Sequence, residues 1–523
     1  MRAVYPNAEI KPEIVPPESE SKRRWERAES IRELVRGRIE AVGPITANAL
    51  ARFFQLPPTE VEAALLALET EGFVLRGRFH PHASELEWCD RRLLARIHRL
   101  TIHRLRSEIQ PVSIADFQRF LLAWQRAGAE HRAEGPEGVE AVLQLLDGYE
   151  LPAAAWEPEV LALRVKEYLP QWLDRLCFTG RIGWGRLTPP QKQNARAFTP
   201  LRSSPVSLFS RENLRHWLEL SAAPSAAELP PDTGLVLETL TQAGALFFNE
   251  VVRQTGLLPS RVEQALGELA AQGWVTADSF EGLRALLIPS EKRAPFADLE
   301  RKRRHKTVTS IEFAGRWSLL RTKAGQASHL PPVGLQSAKS NSSAPTGMPE
   351  TGETPLLLSG APRDEATEAY ARVLLRRYGV LFRRLLERES LNVSWFELGR
   401  VYRRLEARGE IRGGHFVGGV SGEQFALPEA IGLLRSLRKT KPPDELVAIS
   451  AADPLNLAGI LTPGPRITAI SANRILLRDG LPIAALEAGQ IIQLEVSPGE
   501  NDRLIEGSLK VGNLSPSLRP YYG

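Results

Sequence analysis

LPPTEVEAALLALETEG (56–72) and LLPSRVEQALGELAAQG (257–273) align without a gap. In both, a proline and a hydroxyl residue open a run in which Val61, Leu65, Leu68 and Val262, Leu266, Leu269 recur at helical spacing. A glycine then closes the run. The pattern predicts an amphipathic helix with a core-facing stripe, Thr59 or Ser260 as its N-cap, and a left-handed glycine stop at Gly72 or Gly273. PITANALARFFQL (44–56) and GALFFNEVVRQTGL (244–257) supply the preceding helix of each unit.

The same ending occurs four times. Leu68, Leu176, Leu269 and Leu405 each stand four residues before a glycine, at Gly72, Gly180, Gly273 and Gly409. Two residues past the glycines stand Val74, Ile182, Val275 and Ile411, and seven past them Phe79, Leu187, Phe280 and Phe416. A helix, a glycine stop and a short extended ribbon describe the third helix and wing of a winged helix-turn-helix. The expected fold is mainly α with small β: tandem winged-helix modules followed by a small C-terminal β-barrel. The barrel rests on the β-branched runs of 446–495, where RILLRDGLPIAAL (474–486) centres a hairpin on Asp479-Gly480.

These signals divide the chain into a flexible N-terminus (1–28), winged helix 1 (29–84), a helical segment with winged helix 2 (85–204) and winged helix 3 (205–290). A basic connector (291–321), a Ser/Gly/Pro/Ala-rich disordered linker (322–365), winged helix 4 (366–440) and a β-barrel with a C-terminal tail (441–523) complete it. A chain of 523 residues exceeds what one core organises. No run approaches the roughly 20 apolar residues of a membrane span, and the N-terminus lacks the apolar core of a secretory signal. A soluble, cytoplasmic protein with no membrane partner is expected. Cys89 and Cys177 cannot build a disulfide framework, and the nine histidines are scattered, so no metal site is expected. His80 and His82 flank Pro81 as surface-loop residues.

EWCDRRLLARIHRLTIHRLRSEIQPVS (87–113), the block 244–287, RRLEARGEIRGGHFVGGVSGEQFALPEA (403–430) and DPLNLAGILTPG (453–464) resemble the C-terminal region of the Lhr family, large helicase-related proteins of bacterial DNA repair. The resemblance implies winged-helix modules and a β-barrel that follow a helicase core and help assemble oligomers, in an architecture similar to that of AlkZ-type DNA glycosylases. The sequence contains no G-x-x-x-x-G-K-[ST] loop, and the glycine-rich RGGHFVGGVSG (412–422) lacks the lysine that phosphates require. No cofactor is expected in this chain; ATP and Mg would act only through a separate Lhr-type helicase core.

The net charge of +5 is modest, so where the cations sit matters more than their number. On a helix over 91–106, Arg92, Arg96, Arg99, His103 and Arg106 share one sector, away from Leu93, Ile97 and Leu100, while Arg104 falls among the apolar residues. Such a row can follow a phosphate backbone, because each guanidinium is always charged and binds phosphate in two-pronged fashion. Arg76 and Arg78, Arg181 and Arg186, and Arg412 with His415 lie in the first, second and fourth wings. The third wing carries Asp278 instead, which favours packing against protein. The expected function is DNA or RNA–DNA hybrid binding and homo-oligomer assembly by a non-motor region.

Two alternatives stand beside it: a glycosylase acting on uracil or damaged bases, and a pure oligomerisation scaffold. For the first, a carboxylate or glutamine must position water or stabilise the sugar cation. Asp453 and Gln424, with Glu423 beside it, are the candidates within family-like segments, although Asp453 equally suits a turn before Pro454. Gln191 and Gln193 resemble the Gln-x-Gln signature of AlkZ-type enzymes but hold Lys192 between them.

Overall fold

The computed structural model describes residues 1–8, 24–81, 83–107, 109–190, 201–224, 229–288, 311–321, 361–494, 502–510 and 514–522. His82, Gln191, Gln193 and most of the expected linker lie outside them. The chain divides into two units, Met1–Ile109 and Gln110–Gly523.

In the first unit, helices Arg27–Ile39, Ala47–Phe54 and Pro58–Thr70 carry the apolar stripes, and β1 (Ile45–Thr46), β2 (Val74–Gly77) and β3 (Glu87–Asp90) form an antiparallel sheet in the order β1-β3-β2. Ile31, Val35, Leu50, Val61, Leu65 and Leu68 form one core between them. Thr59 is not the expected N-cap. Pro58 occupies the first helical position, where its missing N–H removes no bond, and Thr59 therefore lies inside the helix; Pro259 displaces Ser260 in the same way. The glycine stops form as expected, with φ of 70° to 84° at all four positions.

The second unit repeats the topology three times. β4 (Glu150–Pro152), β5 (Ile182–Gly185) and β6 (Pro205–Ser210) pair in the order β4-β6-β5 behind helices Gly135–Leu145 and Pro170–Phe178. β7 (Leu246–Phe247), β8 (Val275–Ala277) and β9 (Arg316–Leu319) follow the order β7-β9-β8 with helices Pro231–Ala243, Phe248–Thr255 and Pro259–Gln272. β10 (Val380–Leu381), β11 (Arg412–Gly414) and β12 (Gln424–Ala426) follow the order β10-β12-β11 with helices Ala361–Tyr378 and Trp395–Ala407.

The spacing of seven residues past each glycine has a physical cause. In the first wing the backbone amides of Phe79 and His80 donate to Glu87 Oε2 at 2.8 and 3.0 Å. In the second, Leu187 and Thr188 donate to Glu150 Oε1 at 2.7 and 3.0 Å, and in the fourth Phe416 and Val417 donate to Gln424 Oε1 at 2.8 Å each. One side-chain oxygen thus satisfies two adjacent amides that the wing turn would leave unpaired. The third module departs from this plan: Phe280 begins a helix, Phe280–Leu287, and Arg316 returns to Asp278 through Nε at 2.9 Å.

Several expected boundaries move accordingly. The first sheet closes only at β3, beyond residue 84. Residues 316–319, expected in the basic connector, are β9 and complete the third sheet. The helix Ala361–Tyr378 begins inside the expected linker. The last sheet also differs from expectation: β13 (Leu446–Ser450), β14 (Arg474–Arg478), β15 (Leu481–Glu487) and β16 (Gln490–Gln493) form a meander in chain order, and no closed barrel is found among the described residues. Its central turn is as expected, with φ of 48° at Asp479 and 84° at Gly480 between the paired Arg478 and Leu481, as a two-residue type I′ hairpin demands.

Candidate nucleic-acid interface

β3 ends at Asp90, whose Oδ1 accepts from the Leu93 amide at 2.6 Å and so caps the helix Arg91–Ser107. None of this helix is buried. Leu93, Leu94, Ile97 and Ile102 are half-buried, whereas Arg92, Arg96, Arg99 and His103 are exposed, as the helical wheel separates them. Among the described residues Arg92, Arg96 and Arg99 have no ion pair. Arg104 and Arg106 are already engaged, and Arg106 is half-buried. Leu100, on the apolar side, is 60% exposed.

The wing cations are less free. Arg76 pairs with Glu69 at 3.3 Å and lies over the Trp88 ring at 5.6 Å, while Arg78 is exposed. Arg181 is ion-paired with Glu140. Arg186 is turned into protein: its Nη1 donates to the Ala271 carbonyl at 2.7 Å, its Nε to Thr188 O at 2.8 Å, and burial lowers its pKa. Arg412 and His415 are exposed on the fourth wing. The structure therefore groups the helix stripe with Arg76 and Arg78 in the first unit, and Arg181, Arg186, Arg412 and His415 in the second.

The catalytic candidates have buried partners. Both Asp453 oxygens are held by Arg164, at 2.6 Å to Nη1 and 2.8 Å to Nη2, and Oδ1 also accepts from Leu455 N at 2.9 Å. Arg388 Nη2 donates to the Asp453 carbonyl at 3.1 Å. This is a fully enclosed bidentate pair joining the second module to the last sheet. Gln424 spends its oxygen on the wing amides and its Nε2 on Val417 O at 2.9 Å. Glu423 is ion-paired with Arg403.

Sequence reading missed two features. The first is a cleft of about 390 Å³ lined by Arg132, Glu159, Leu446, Arg474, Ser515 and Leu518. Glu159 is 3.1 Å from Arg474, and burial raises its pKa against that arginine's pull. Glu159 lies in a π-helical turn, Trp156–Leu161, a geometry with no simple sequence signal. The second is the outer face of the helix Trp395–Ala407, the one that ends before the Gly409 stop: it exposes Phe396, Arg400 and Arg403. Its start was legible: Ser394 and Glu397 form a capping box, with the Ser394 amide donating to Glu397 at 2.9 Å.

Two models of the winged-helix domains of the Large helicase-related protein match this chain, one over residues 112–201 and one over 360–446, the regions of the second and fourth modules. These two matches support an Lhr-type C-terminal region in this chain. It is 28% identical over 427 residues to the "Lhr helicase/ probable uracil glycosylase" of Mycolicibacterium smegmatis, covering 80% of this chain and 26% of that protein. It is 26% identical over 476 residues to the "Lhr helicase/uracil glycosylase" of Escherichia coli, covering 83% and 27%. The Lhr-type region thus spans about a quarter of the length of the curated relatives it matches. No helix among its described residues is long and apolar enough to cross a membrane.

Proposed function

We propose that this Lhr-type region binds DNA or an RNA–DNA hybrid through the helix Arg91–Ser107, supports assembly of the chain into oligomers, and acts beside a separate helicase core that supplies ATP and Mg. The observation that carries the reading is the row Arg92, Arg96, Arg99: three permanent charges on one exposed helix face with no ion pair among the described residues. The wing residues Arg76, Arg181 and Arg186, by contrast, are committed to carboxylates or carbonyls. Fluorescence anisotropy of labelled duplexes against salt tests it. Affinity is expected to fall steeply with salt, and replacing the three arginines with alanine to flatten the log–log slope by about 0.9 for each phosphate that is no longer neutralised. Salt-insensitive binding, or an unchanged slope in the variant, overturns the reading. Loss of the multimer in light scattering with DNA affinity intact reassigns the helix to assembly.

A second reading, a DNA glycosylase of AlkZ-like architecture, draws on the glycosylase named in both relatives. In that reaction the N-glycosidic bond breaks, the base leaves with a proton, and water adds its oxygen to the sugar C1′. The carboxylate must face a space that admits the sugar. Glu159, at the cleft wall, meets that need better than Asp453, enclosed by Arg164. Alkali-labile cleavage of uracil-containing DNA by the purified chain, lost in Glu159→Gln, is the expected outcome. Absence of cleavage by the unaltered chain leaves the scaffold reading; full cleavage by Glu159→Gln removes Glu159 from it.

A further inference from the structure

Four copies of one fold permit a comparison at matched positions. In a winged helix the third helix faces the nucleic acid, with its N-terminal residues nearest the bases. In the first module that helix, Pro58–Thr70, shows Thr59, Glu62 and Leu66 to solvent and no cation. In the third, Pro259–Gln272, eight residues are buried, and the exposed Arg261 pairs with Asp232 at 3.0 Å. In the second, Pro170–Phe178, Gln171 is exposed in the first turn, while the exposed cation and ring, Arg175 and Phe178, lie toward the C-terminal end.

The fourth module is different. Phe396, Arg400, Arg403 and Ala407 recur every three or four residues along Trp395–Ala407, and all are exposed. Phe396, in the first turn, is 72% exposed, the largest exposure of any large apolar side chain among the described residues. Among the described residues no ring contact holds Phe396, whereas Trp395, beside it, turns inward toward Tyr402 and Phe425. Arg400 has no ion pair among the described residues. Arg403 is neutralised by Glu423, so the stripe holds little net charge. No Asn or Gln on it can read a base edge.

We propose that this stripe holds single-stranded DNA, with Phe396 stacked on an unpaired base and Arg400 on an adjacent phosphate. An aromatic face can stack only where a base is unstacked, and stacking suits a surface with too few free cations to hold a duplex by charge. The inference rests on the DNA-binding reading above but places single-strand recognition on a different unit of the chain from the basic helix.

Anisotropy with the full chain, using a labelled oligothymidylate and a fully paired hairpin, tests it. Phe396→Ala is expected to weaken oligothymidylate binding roughly five- to a hundredfold and to leave the hairpin unaffected, while Phe396→Trp restores it. Arg400→Ala is expected to reduce the single-strand salt slope by about 0.7. Circular dichroism of each variant should match the unaltered chain, because the replaced side chains are exposed. Wild-type oligothymidylate affinity in Phe396→Ala, with loss of DNA binding on replacing Arg92, Arg96 and Arg99, overturns this inference and leaves the earlier reading intact. Equal loss on hairpin and single strand overturns it in favour of groove binding, and a changed mass in light scattering in favour of a contact between copies. Failure of the unaltered chain to bind any DNA sinks both.

Discussion

Asp453 and Arg164 stand 289 positions apart and meet in two parallel hydrogen bonds with no exposure to solvent. Removing one member of such a pair leaves the other charge buried and unmatched, so Asp453→Ala is expected to cost about 3–5 kcal/mol, read from chemical denaturation. A fully stable variant would contradict the enclosure. Gln424→Ala is expected to cost about 1–3 kcal/mol, because it strands the Phe416 and Val417 amides. Asp147 adds a pH signature. Burial raises its pKa, against the opposing hydrogen bonds from Asn213, Ser210 and Trp217. A carboxyl with a raised folded pKa holds its proton more tightly folded than unfolded, so its contribution is complete below about pH 4 and is lost as pH rises through the folded value. Asp147→Asn is expected to remove that decline, and denaturation midpoints across the acid range check it. None of these partners was legible in sequence. A buried pair is defined by two residues hundreds of positions apart, and neither Gln424 nor Glu150 differs locally from a surface residue.

At the scale of elements the sequence is far more legible. The glycine stops and the apolar stripes are local, and local chemistry decides them: only glycine takes φ near +75° at no steric cost. The Asp479-Gly480 turn follows the same logic. Gly480 also abuts Gln118 and the Arg119 amide, where an added Cβ would fall at 2.7 Å, so Gly480→Ala is expected to destabilise the chain by more than the roughly 1 kcal/mol of backbone preference alone. A smaller loss would show that the tip can withdraw. The wings were legible as spacing but not as mechanism, since the residue that clamps the turn follows by eight positions in the first and fourth wings, on β3 and β12, but precedes by 37 in the second, on β4. The third wing was misread because β9 lies some 40 residues past β8 and reads merely as RWSL. The separation of Arg92, Arg96 and Arg99 from Leu93 and Ile97 was visible because a helical wheel needs only sequence. The engagement of Arg186 by Ala271 needs the packing of two modules and was not.

At the scale of the molecule, the first unit has a core of its own around Val35, Leu50 and Leu65, separate from the core that the second and third modules share. Calorimetry is expected to resolve two transitions, with a core substitution such as Leu65→Ala lowering only one. A single transition shifted as a whole would show that the units unfold together. The shared core is completed late in the chain. Glu157 is buried against Arg284, 127 positions on, at 2.6 Å, and against the hydroxyl of Tyr522, 365 positions on, at 2.8 Å. During synthesis at about 5–20 residues per second, the arginine follows the glutamate by roughly 6–25 s and the tyrosine by roughly 20–70 s. Between those two times the carboxylate can already meet Arg284 but still lacks the Tyr522 hydroxyl, so the last of its buried hydrogen bonds waits for the end of this stretch of chain.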